Sequence, residues 1–338
     1  MKKLKFIGFP IALFYGVVMQ LRKLLFKTGI LKSKSIPWPS VGVGNLSVGG
    51  TGKSVVIMYL IDLFYDTKKV AVISRGYKRV TKGVIVADKN CTTASLGDEP
   101  YQFYKAYPRI NVIVSEKRQK AVDHLQNLFP TPEVLLLDDI YQHQYVIPGL
   151  MILTTSFDTP FYKDFLLPVG NLRELRKEKS RADIILVTKC PNAIEAKQKE
   201  EILKSIKPAL NQKVYFTTIQ YSEWIQNETE KKHLKTFLTS SFVLVTGIAN
   251  ATPLVCHLNE IGLEFDHFCF PDHHLFSKKE LNEIKEKSRS KLVLTTEKDY
   301  HRLILNWKTP QVYFLPIQMQ FLFSEEEQQF KSQVLSLI

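Results

Sequence analysis

The sequence is poor in cysteine and shows neither a disulfide framework nor a zinc-binding pattern. Only 4 of its 338 residues are cysteines, and no two of them form a Cys-x-x-Cys pair or share a spacing typical of metal ligands. This scarcity argues against a disulfide-rich secreted domain and against a zinc site, and it predicts reduced, buried cysteines in a cytosolic protein. The cysteines are Cys91, Cys190, Cys256 and Cys269.

Internal repeats, low-complexity tracts and a signal-peptide cleavage site are also missing, so neither a repeat architecture nor secretory processing is predicted. Acidic residues are scarce relative to basic ones: 33 Asp and Glu stand against 46 Lys and Arg, for a formal net charge of +13. This excess predicts an anionic partner, namely nucleic acid, acidic lipid or a phosphorylated substrate. With 45% hydrophobic residues the chain is globular, and its length suffices for two domains.

A glycine-rich stretch is the strongest motif in the chain. Residues 41–54 read VGVGNLSVGGTGKS, an apolar run followed by a turn and then by a predicted helix over residues 55–64. This order predicts a phosphate-binding P-loop in which Lys53 reaches the outer phosphates and the Ser54 hydroxyl binds Mg²⁺. Because Ser47 occupies a position where the strict pattern requires glycine, a chance glycine turn is the alternative.

The glycines of this loop have a steric role. A phosphate cradle is a tight turn whose backbone N–H groups point inward, so it requires residues that adopt positive φ readily. Gly49, Gly50 and Gly52 are predicted to meet this requirement. The predicted contacts with the nucleotide are Gly49, Gly50, Thr51, Gly52, Lys53 and Ser54.

The N-terminus predicts association with a membrane. Residues 1–5 are basic, residues 6–21 carry no charge, and lysines and arginines resume at Arg22. A full transmembrane span needs about 20 apolar residues, and this run is shorter and is interrupted by Pro10. Basic flanks therefore favour a helix in the membrane surface with its cations on anionic headgroups. The alternative is a core helix with solvated basic ends.

Beyond residue 41, apolar runs alternate with helical patterns, which predicts βαβ units and a parallel sheet. Two pairs of acids stand at the ends of these elements. Asp98 and Glu99 begin a helical stretch, where they either complement the helix dipole or act as a general base and a metal partner. Asp138 and Asp139 end an apolar strand, which is typical of carboxylates in an Mg²⁺ shell.

Basic residues suggest further phosphate contacts. The loop over residues 75–79 follows a strand, and its three cations either hold phosphates or are solvated. Arg173 or Arg176 is predicted to clamp a transferring phosphoryl group. The basic residues of a helix over residues 116–128 are expected to be solvated. A Thr-Lys pair at residues 188–189 resembles a guanine-reading loop, but it lacks the required aspartate.

Residues 227–235 indicate a boundary before a smaller α/β unit, which contains an Asp-His-His sequence at residues 272–274. Three successive ligand types cannot converge on one ion, so the functional hypothesis is a histidine paired with a carboxylate elsewhere. The alternative is a histidine pair that caps the next helix. The predicted domains are an N-terminal segment over residues 1–34, a nucleotide-binding domain over 35–212 and a C-terminal domain over 213–338.

Together these motifs resemble the tetraacyldisaccharide 4'-kinase family, the lipid A 4'-kinases of Gram-negative bacteria. The resemblance covers nearly the whole chain, because seven short motifs occur in the order found in that family. They are Asn45–Ser54, Ser74–Tyr77, Gly97–Pro100, Asp138–Asp139 with Gln142–His143, Leu167–Pro168 through Leu172–Glu174, Phe270–His274 and Thr296–Asp299.

The resemblance implies a P-loop NTPase fold and transfer of the ATP γ-phosphoryl group to the 4'-hydroxyl of a tetraacylated glucosamine disaccharide 1-phosphate. It places the enzyme at the cytoplasmic face of the inner membrane as a peripheral or monotopic protein, with neither a nucleic acid nor an obligatory protein partner. The implied acid–base pair is Asp98 with His273, which would require the domains to close if each lies in a different one. Further implied roles are phosphate and Mg²⁺ contacts by Lys53 and Ser54, metal and loop support by Glu99, Asp138 and Asp139, and charge stabilisation by Arg173.

The chain departs from the family pattern at several positions. Ile140 and Tyr141 stand where Gly and Phe are usual, Ser54-Val55 stand where Thr-Pro is common, and Asn171 stands where proline is frequent. The turn at Ile140 must therefore be built differently. A membrane-associated regulatory or chaperone-type P-loop NTPase is the competing hypothesis, and it would need no acceptor base. A nucleic-acid-dependent ATPase is disfavoured because no binding module is recognisable.

Overall fold

The computed structural model describes residues 2–127, 131–237, 241–289 and 291–337, and the chain divides into two compact units. Unit 1 comprises Met1–Ile219 and Met319–Ile338, and unit 2 comprises Gln220–Gln318. The sequence predicted a boundary at residue 212 and a C-terminal domain over residues 213–338. The difference arises because the strand that begins at Lys213 extends the first sheet, and because the C-terminus comes back to it.

The strands of the first part of unit 1 alternate with helices, as the apolar pattern predicted. The strands are β1 (Lys34–Ser35), β2 (Ser40–Asn45), β3 (Val70–Ser74), β4 (Ile85–Val86), β5 (Asn111–Val114), β6 (Val134–Asp138), β7 (Val146–Ile147), β8 (Leu150–Ser156), β9 (Ile184–Thr188) and β10 (Lys213–Tyr221). The helices are α1 (Lys2–Lys27), α2 (Lys53–Phe64), α3 (Thr93–Leu96), α4 (Asp98–Ala106), α5 (Arg118–Leu125) and α6 (Ala196–Ile206).

Unit 2 is the smaller α/β unit that the sequence predicted, but the predicted boundary at residues 227–235 is wrong, because unit 2 begins at Gln220 and residues 231–233 form a strand of its sheet. Its strands are β11 (Trp224–Gln226), β12 (Lys231–His233), β13 (Phe242–Thr246), β14 (Phe265–Cys269), β15 (Val293–Thr296) and β16 (Val312–Leu315). Its helices are α7 (Leu234–Phe237), α8 (Thr252–Glu260), α9 (Lys278–Ser288) and α10 (Glu297–Asn306). The sheet order is β12-β11-β16-β15-β13-β14, and the four strands from β16 to β14 run parallel.

The chain returns to unit 1 through β17 (Ile317–Phe321) and α11 (Ser324–Leu335). Pro316 separates β16 from β17, and the two strands join different sheets, since proline cannot donate to a ladder. The sheet of unit 1 has nine strands in the order β17-β10-β9-β8-β2-β6-β3-β5-β4. The strands from β10 to β5 are mutually parallel, which confirms the predicted P-loop NTPase sheet.

Central strands in this sheet are buried on both faces, as parallel sheets covered by helices require. All residues of β2, β3, β6 and β9 are buried. Because β2 pairs with β6 and β8, the loop that leaves β2 emerges next to the carboxyl ends of both neighbours. The topology thus brings the P-loop and the acids of residues 138–139 to one edge.

Helix α1 is one continuous helix that includes Pro10. The stretch Gly8–Lys27 is long and apolar enough to cross a membrane, judged by length and composition, and only 11% of its apolar window is buried. Two polar side chains of α1 connect the helix to the rest of unit 1. The Tyr15 hydroxyl donates to the carbonyl of residue 173 at 2.8 Å, and Lys23 Nζ lies 2.7 Å from a Glu178 carboxylate oxygen.

Cys91, Cys190, Cys256 and Cys269 are free cysteines in this structure. Their expected burial is wrong for two of them. Cys190 is buried and Cys91 is half-buried, whereas Cys256 and Cys269 are exposed on unit 2. Cys256 lies on α8 and Cys269 ends β14, an edge strand of the sheet, and the spacing of cysteines in the sequence does not reveal their exposure.

Candidate active site

The P-loop joins the buried strand β2 to helix α2, which begins at Lys53. Gly49 has φ +101° and Gly52 has φ +80°, so both adopt the left-handed region as predicted. Gly50 does not belong to the glycines with positive φ, and the expectation is wrong for it. Its carbonyl instead accepts a hydrogen bond of 2.6 Å from Lys189 Nζ. The open turn directs the helix N-terminus toward any bound anion.

Side chains from neighbouring strands hold this loop in place. The Thr51 hydroxyl lies 3.0 Å from Asn45 Nδ2 and 2.8 Å from Thr154 Oγ1, so the side chain faces the interior. The carbonyl of Thr51 accepts a hydrogen bond of 2.9 Å from Thr188 Oγ1. Thr188 and Lys189 therefore hold the P-loop through hydrogen bonds to its carbonyl groups. This structural role accounts for the Thr-Lys pair without any contact to a nucleotide base.

Asp138 ends β6 and is 5% exposed. Its Oδ2 accepts a hydrogen bond of 2.8 Å from the Ser74 hydroxyl, which ends the neighbouring strand β3. Burial, followed by the neighbouring charge of Asp139, raises the pKa of Asp138 to about 6. The charge of Glu99 acts in the same direction. A buried carboxylate in this setting favours a bound cation, because a cation would stabilise its ionised form.

Asp139 forms ion pairs with both Lys53 and Arg173. It lies just beyond β6 with φ +48°. Its Oδ1 is 3.5 Å from Lys53 Nζ and 3.0 Å from Arg173 Nη2. Although burial opposes ionisation, the positive charges of Lys53 and Arg173 hold the pKa of Asp139 well below its ordinary value. The carboxylate is therefore ionised at neutral pH, and it links Lys53 of the P-loop to Arg173.

Of the two arginines predicted as a clamp, the structure brings Arg173 to the strand-end acids. Its guanidinium donates to both oxygens of Asp139 and to Asn45 Oδ1. Arg176 is exposed, and its Nε and Nη2 donate to the carbonyl of Asp164. Arg176 thus stabilises the loop, whereas Arg173 faces the P-loop.

Two further arginines differ from expectation. Arg118 was expected to be solvated, but it is 1% exposed and donates to the carbonyls of residues 115 and 138 at 2.7 and 2.9 Å. Burial lowers its pKa to about 10, so it remains a cation beneath the acids. Arg79 of the predicted phosphate-holding loop is paired with Glu116 at 2.6 Å. In that loop Arg75 and Lys78 are exposed.

The acids at the start of α4 occupy the first helical turn, as predicted. Asp98 and Glu99 are both half-buried, and they follow Gly97, whose φ of +92° starts the helix. An added Cβ at Gly97 would lie 2.9 Å from the carbonyl oxygen of Tyr77. Glycine at this position therefore allows α4 to begin close to the loop after β3, and Glu99 is near enough to influence Asp138.

The turn after Asp139 shows how the chain accommodates its unusual residues. Ile140 is 1% exposed and Tyr141 is fully buried, and the Tyr141 hydroxyl donates to the carbonyl of Glu178 at 2.7 Å. An added Cβ at Gly44 would lie 2.6 Å from the Cβ of Tyr141, so glycine in β2 makes room for the tyrosine. The positive φ that a turn requires is supplied by Asp139 itself.

Gln142 and His143 follow this turn. Gln142 Nε2 donates to the carbonyl of Asn45 at 2.8 Å, which ties the turn to β2. Burial is the main cause that lowers the pKa of His143 to about 3, and the positive charges of Arg118 and Arg75 contribute in the same direction. His143 is therefore neutral at physiological pH.

In unit 2 the two histidines have different surroundings. His274 Nε2 lies 3.0 Å from Glu280, the ring stacks on Phe270, and Glu280 also forms the capping box of α9. The predicted histidine pair that caps the next helix is thus represented by His274 alone, which contacts Glu280 of the capping box of α9. His273 has φ +60°, and its Nε2 lies 3.8 Å from Asp272.

The residues at the P-loop fit a nucleotide with Mg²⁺. Within the described ranges, Arg173 Nε and Gln142 Oε1 are buried and have no hydrogen-bond partner, so polar capacity is left at this edge of the sheet. Ser54 and the strand-end carboxylates are oxygen donors, which Mg²⁺ prefers. The described part of the chain contains no group of three or more His, Cys, Asp or Glu side chains that could hold a metal alone. Phosphate oxygens would supply the remaining ligands.

A parallel sheet with a glycine loop before α2 and acids at the end of the adjacent strand defines a P-loop nucleotide-binding protein. A comparison with family models matches residues 4–338 to tetraacyldisaccharide-1-P 4'-kinase. The chain belongs to this family.

Relatives and solved structures agree with this assignment. The chain is 41% identical to a tetraacyldisaccharide 4'-kinase of Flavobacterium johnsoniae over 100% of this chain and 98% of the relative. It is 38% identical to that of Bacteroides thetaiotaomicron over 94% of this chain and 90% of the relative. The crystal structure of LpxK from Aquifex aeolicus in complex with ATP superposes with a TM-score of 0.80 at 28% identity, with 99% of each chain covered.

The protein is therefore a lipid kinase that uses ATP to phosphorylate the 4'-hydroxyl of a tetraacylated disaccharide 1-phosphate in lipid A biosynthesis. This confirms the activity and the phosphoryl donor that the sequence motifs implied.

Proposed function

We propose that Lys53, Asp138, Asp139 and Arg173 form the phosphoryl-transfer site of this kinase, and that Asp98 activates the acceptor hydroxyl. The observation that carries the proposal is the position of Asp139 between Lys53 Nζ at 3.5 Å and Arg173 Nη2 at 3.0 Å. Phosphoryl transfer depends on placing cations around the transferring group. Both cations are held at the mouth of the P-loop by the same carboxylate.

Each residue has a distinct part in this proposal. The backbone N–H groups of residues 49–54 bind phosphate oxygens, and Lys53 exchanges Asp139 for the outer phosphates. Ser54, Asp138, Asp139 and Glu99 would hold Mg²⁺ directly or through water. When bound, Mg²⁺ would supply positive charge that offsets the negative charge of the phosphates. Arg173 stabilises the charge that develops on the transferring group.

The acceptor is activated by a base. Asp98 is proposed to take the proton of the 4'-hydroxyl, because a half-buried carboxylate at the start of α4 can accept a proton as the oxygen attacks. His273 of unit 2 is proposed as the second residue that acts in acid–base catalysis. The contacts of His274 with Glu280 and Phe270 support this choice, since they occupy the other histidine of the motif.

Replacement of Arg173 by lysine tests the proposed clamp. Lysine keeps the positive charge but loses the planar fork that contacts Asp139 and Asn45, so we expect kcat to fall roughly 10²-fold while the Kd for ATP changes little. Steady-state transfer kinetics and nucleotide titration measure the two effects. Arg176→Lys is the matched control, because Arg176 donates to a backbone carbonyl on the same loop. Equal losses in both variants would refute a clamp at Arg173.

Helix α1 is proposed to bind the cytoplasmic face of the bacterial inner membrane as a peripheral or monotopic element. Two features support this: large apolar side chains on α1 are exposed, and basic residues flank the apolar run. The acylated substrate resides in the same membrane. The exposed apolar residues are Phe9, Ile11, Leu13, Phe14, Val17, Val18, Leu21 and Leu24. No obligatory protein partner is proposed.

Substitution of two of these residues tests the membrane proposal. Leu13 and Phe14 are 73% and 71% exposed, so Leu13→Asp with Phe14→Asp leaves packing within the protein intact. We expect partition onto vesicles containing anionic phospholipid to fall by at least about 100-fold, since each buried large apolar side chain contributes about 1.5–3 kcal/mol. Flotation of vesicles measures the bound fraction. Leu210→Asp, at a fully exposed site outside α1, is the control, and unchanged flotation of the double variant would contradict the proposal.

A further inference from the structure

The motif Thr296-Glu-Lys-Asp299 has no part in the site described above, although its central carboxylate is completely buried. Asp299 is 0% exposed and Arg302 is 4% exposed. They lie one turn apart on α10, and Arg302 Nη1 is 2.9 Å from Asp299 Oδ1. A buried ion pair is not in itself a strong stabilising feature, because desolvation of both charges offsets their attraction. The ion pair is therefore considered for the backbone groups that Asp299 and Arg302 hold in place.

The Asp299 carboxylate is directed at the turn that follows β13. Its Oδ2 accepts hydrogen bonds from the Gly247 N–H at 2.8 Å and from the Thr296 hydroxyl at 2.7 Å. An added Cβ at Gly247 would lie 2.9 Å from Asp299 Oδ1, so glycine is what permits this close approach. The backbone of Gly247 is thus fixed on its donor side.

The acceptor side of the same residue holds the histidine motif. The Gly247 carbonyl accepts a hydrogen bond of 3.1 Å from the backbone N–H of His273. Arg302 Nη1 lies 3.5 Å from the Gly247 carbonyl and 3.5 Å from the carbonyl of His274. His273 itself adopts φ +60°, a conformation that is uncommon for a residue other than glycine.

We infer that Asp299 and Arg302 are positioning residues that set the backbone, and hence the imidazole, of His273. The path has two short steps: Asp299 fixes Gly247 from one side, and Gly247 with Arg302 fixes residues 273–274 from the other. The inference rests on the proposed catalytic role of His273. All of the residues involved belong to unit 2.

Replacement of Asp299 by asparagine tests the inference. Asparagine has nearly the same shape but leaves the Arg302 cation without its partner charge, so the turn at Gly247 loses its rigid support. We expect kcat for phosphoryl transfer to fall about 10- to 100-fold, with KM for ATP and for the lipid within about twofold of the parent. In the His273→Ala background the same replacement is expected to change kcat by less than about twofold, because residues that act through one another are not additive.

A second variant and a structural control accompany this experiment. Arg302→Lys keeps the charge but shortens the reach to the carbonyl of His274, and it is expected to reproduce the kcat effect if Asp299→Asn does not fold. Thr295→Val removes a buried hydrogen bond of 2.7 Å to the Val245 carbonyl in the same sheet. This control is expected to lower the melting temperature but to leave kcat unchanged. The imidazole proton resonances of His273 should shift in Asp299→Asn and stay in place in Thr295→Val.

The possible results distinguish failure of the positioning role of Asp299 and Arg302 from failure of the catalytic role of His273. Normal kcat in both Asp299→Asn and Arg302→Lys, together with an impaired His273→Ala, would overturn the positioning role and keep His273 as the proposed catalyst. Equal losses from Asp299→Asn in the parent and in the His273→Ala background would also overturn it, because the effect would not pass through His273. A fully active His273→Ala would instead remove the catalytic role on which the inference rests.

Discussion

Replacement of Lys53 by alanine is expected to reduce phosphoryl transfer by on the order of 10³-fold. Lys53 starts α2 at the P-loop, and its Nζ lies 3.5 Å from Asp139, where it is 17% exposed and poorly screened by solvent. A preorganised cation at a site of developing charge contributes roughly 10²- to 10³-fold to kcat. Loss of the ammonium also removes a phosphate contact, so weaker ATP binding is expected as well. Transfer kinetics and nucleotide titration measure these effects.

Lys68→Ala is the matched control for this variant. Lys68 lies just beyond the far end of α2 and forms a loose ion pair with Glu133 at 3.9 Å, away from the P-loop. Exposed pairs of this kind contribute about 0–1 kcal/mol to stability, so activity should be unchanged. If Lys53→Ala retained activity within about tenfold of the parent, the P-loop would not be the phosphate site of this kinase.

Replacement of Asp98 by asparagine is expected to lower phosphoryl transfer by about 10²- to 10⁴-fold, because general-base catalysis contributes about that much. Asparagine keeps the size and shape of the side chain, but an NH₂ donor replaces one of the two acceptor oxygens, and the amide cannot take the proton of the acceptor hydroxyl. ATP binding should remain within about threefold of the parent, since the P-loop is unchanged. Single-turnover transfer separates the chemical step from product release.

The Asp98 variant also distinguishes the kinase from a regulatory P-loop NTPase. An NTPase would need no acceptor base, so Asp98→Asn would leave its ATP turnover intact. The control is Glu325→Gln, which removes an exposed first-turn carboxylate from α11 and tests the dipole contribution alone. Comparable losses in the two variants would show that Asp98 acts as a helix-terminus charge and would contradict its role as a base.

The parts of the site that were predictable lie within short stretches of chain. The P-loop was predictable from local sequence alone. Its tight turn requires residues that adopt positive φ, which the glycines supply, and a helix begins directly after the turn at Lys53. Acids at the end of an apolar strand were predictable for a related reason: parallel strands end at one edge of the sheet. The structure has Asp139 beside Lys53 as this reasoning requires.

The parts that were missed depend on contacts between distant segments. Arg118 resembles a solvated helix residue, but its guanidinium reaches the carbonyl of Asp138, 20 positions away. Thr188 supports Thr51 across 137 positions. A charged or polar side chain gives no local signal of such burial. For the same reason the return of residues 319–338 to the first sheet was not predicted.

The most direct test of the central claim is transfer of labelled phosphate from ATP to a detergent-dispersed tetraacyl disaccharide 1-phosphate by the intact protein. The account predicts label on the lipid at its 4'-position, dependent on Mg²⁺, and transfer that is slower by on the order of 10³-fold in Lys53→Ala and by about 10²- to 10⁴-fold in Asp98→Asn under the same conditions. Hydrolysis of ATP without labelling of the lipid would contradict it.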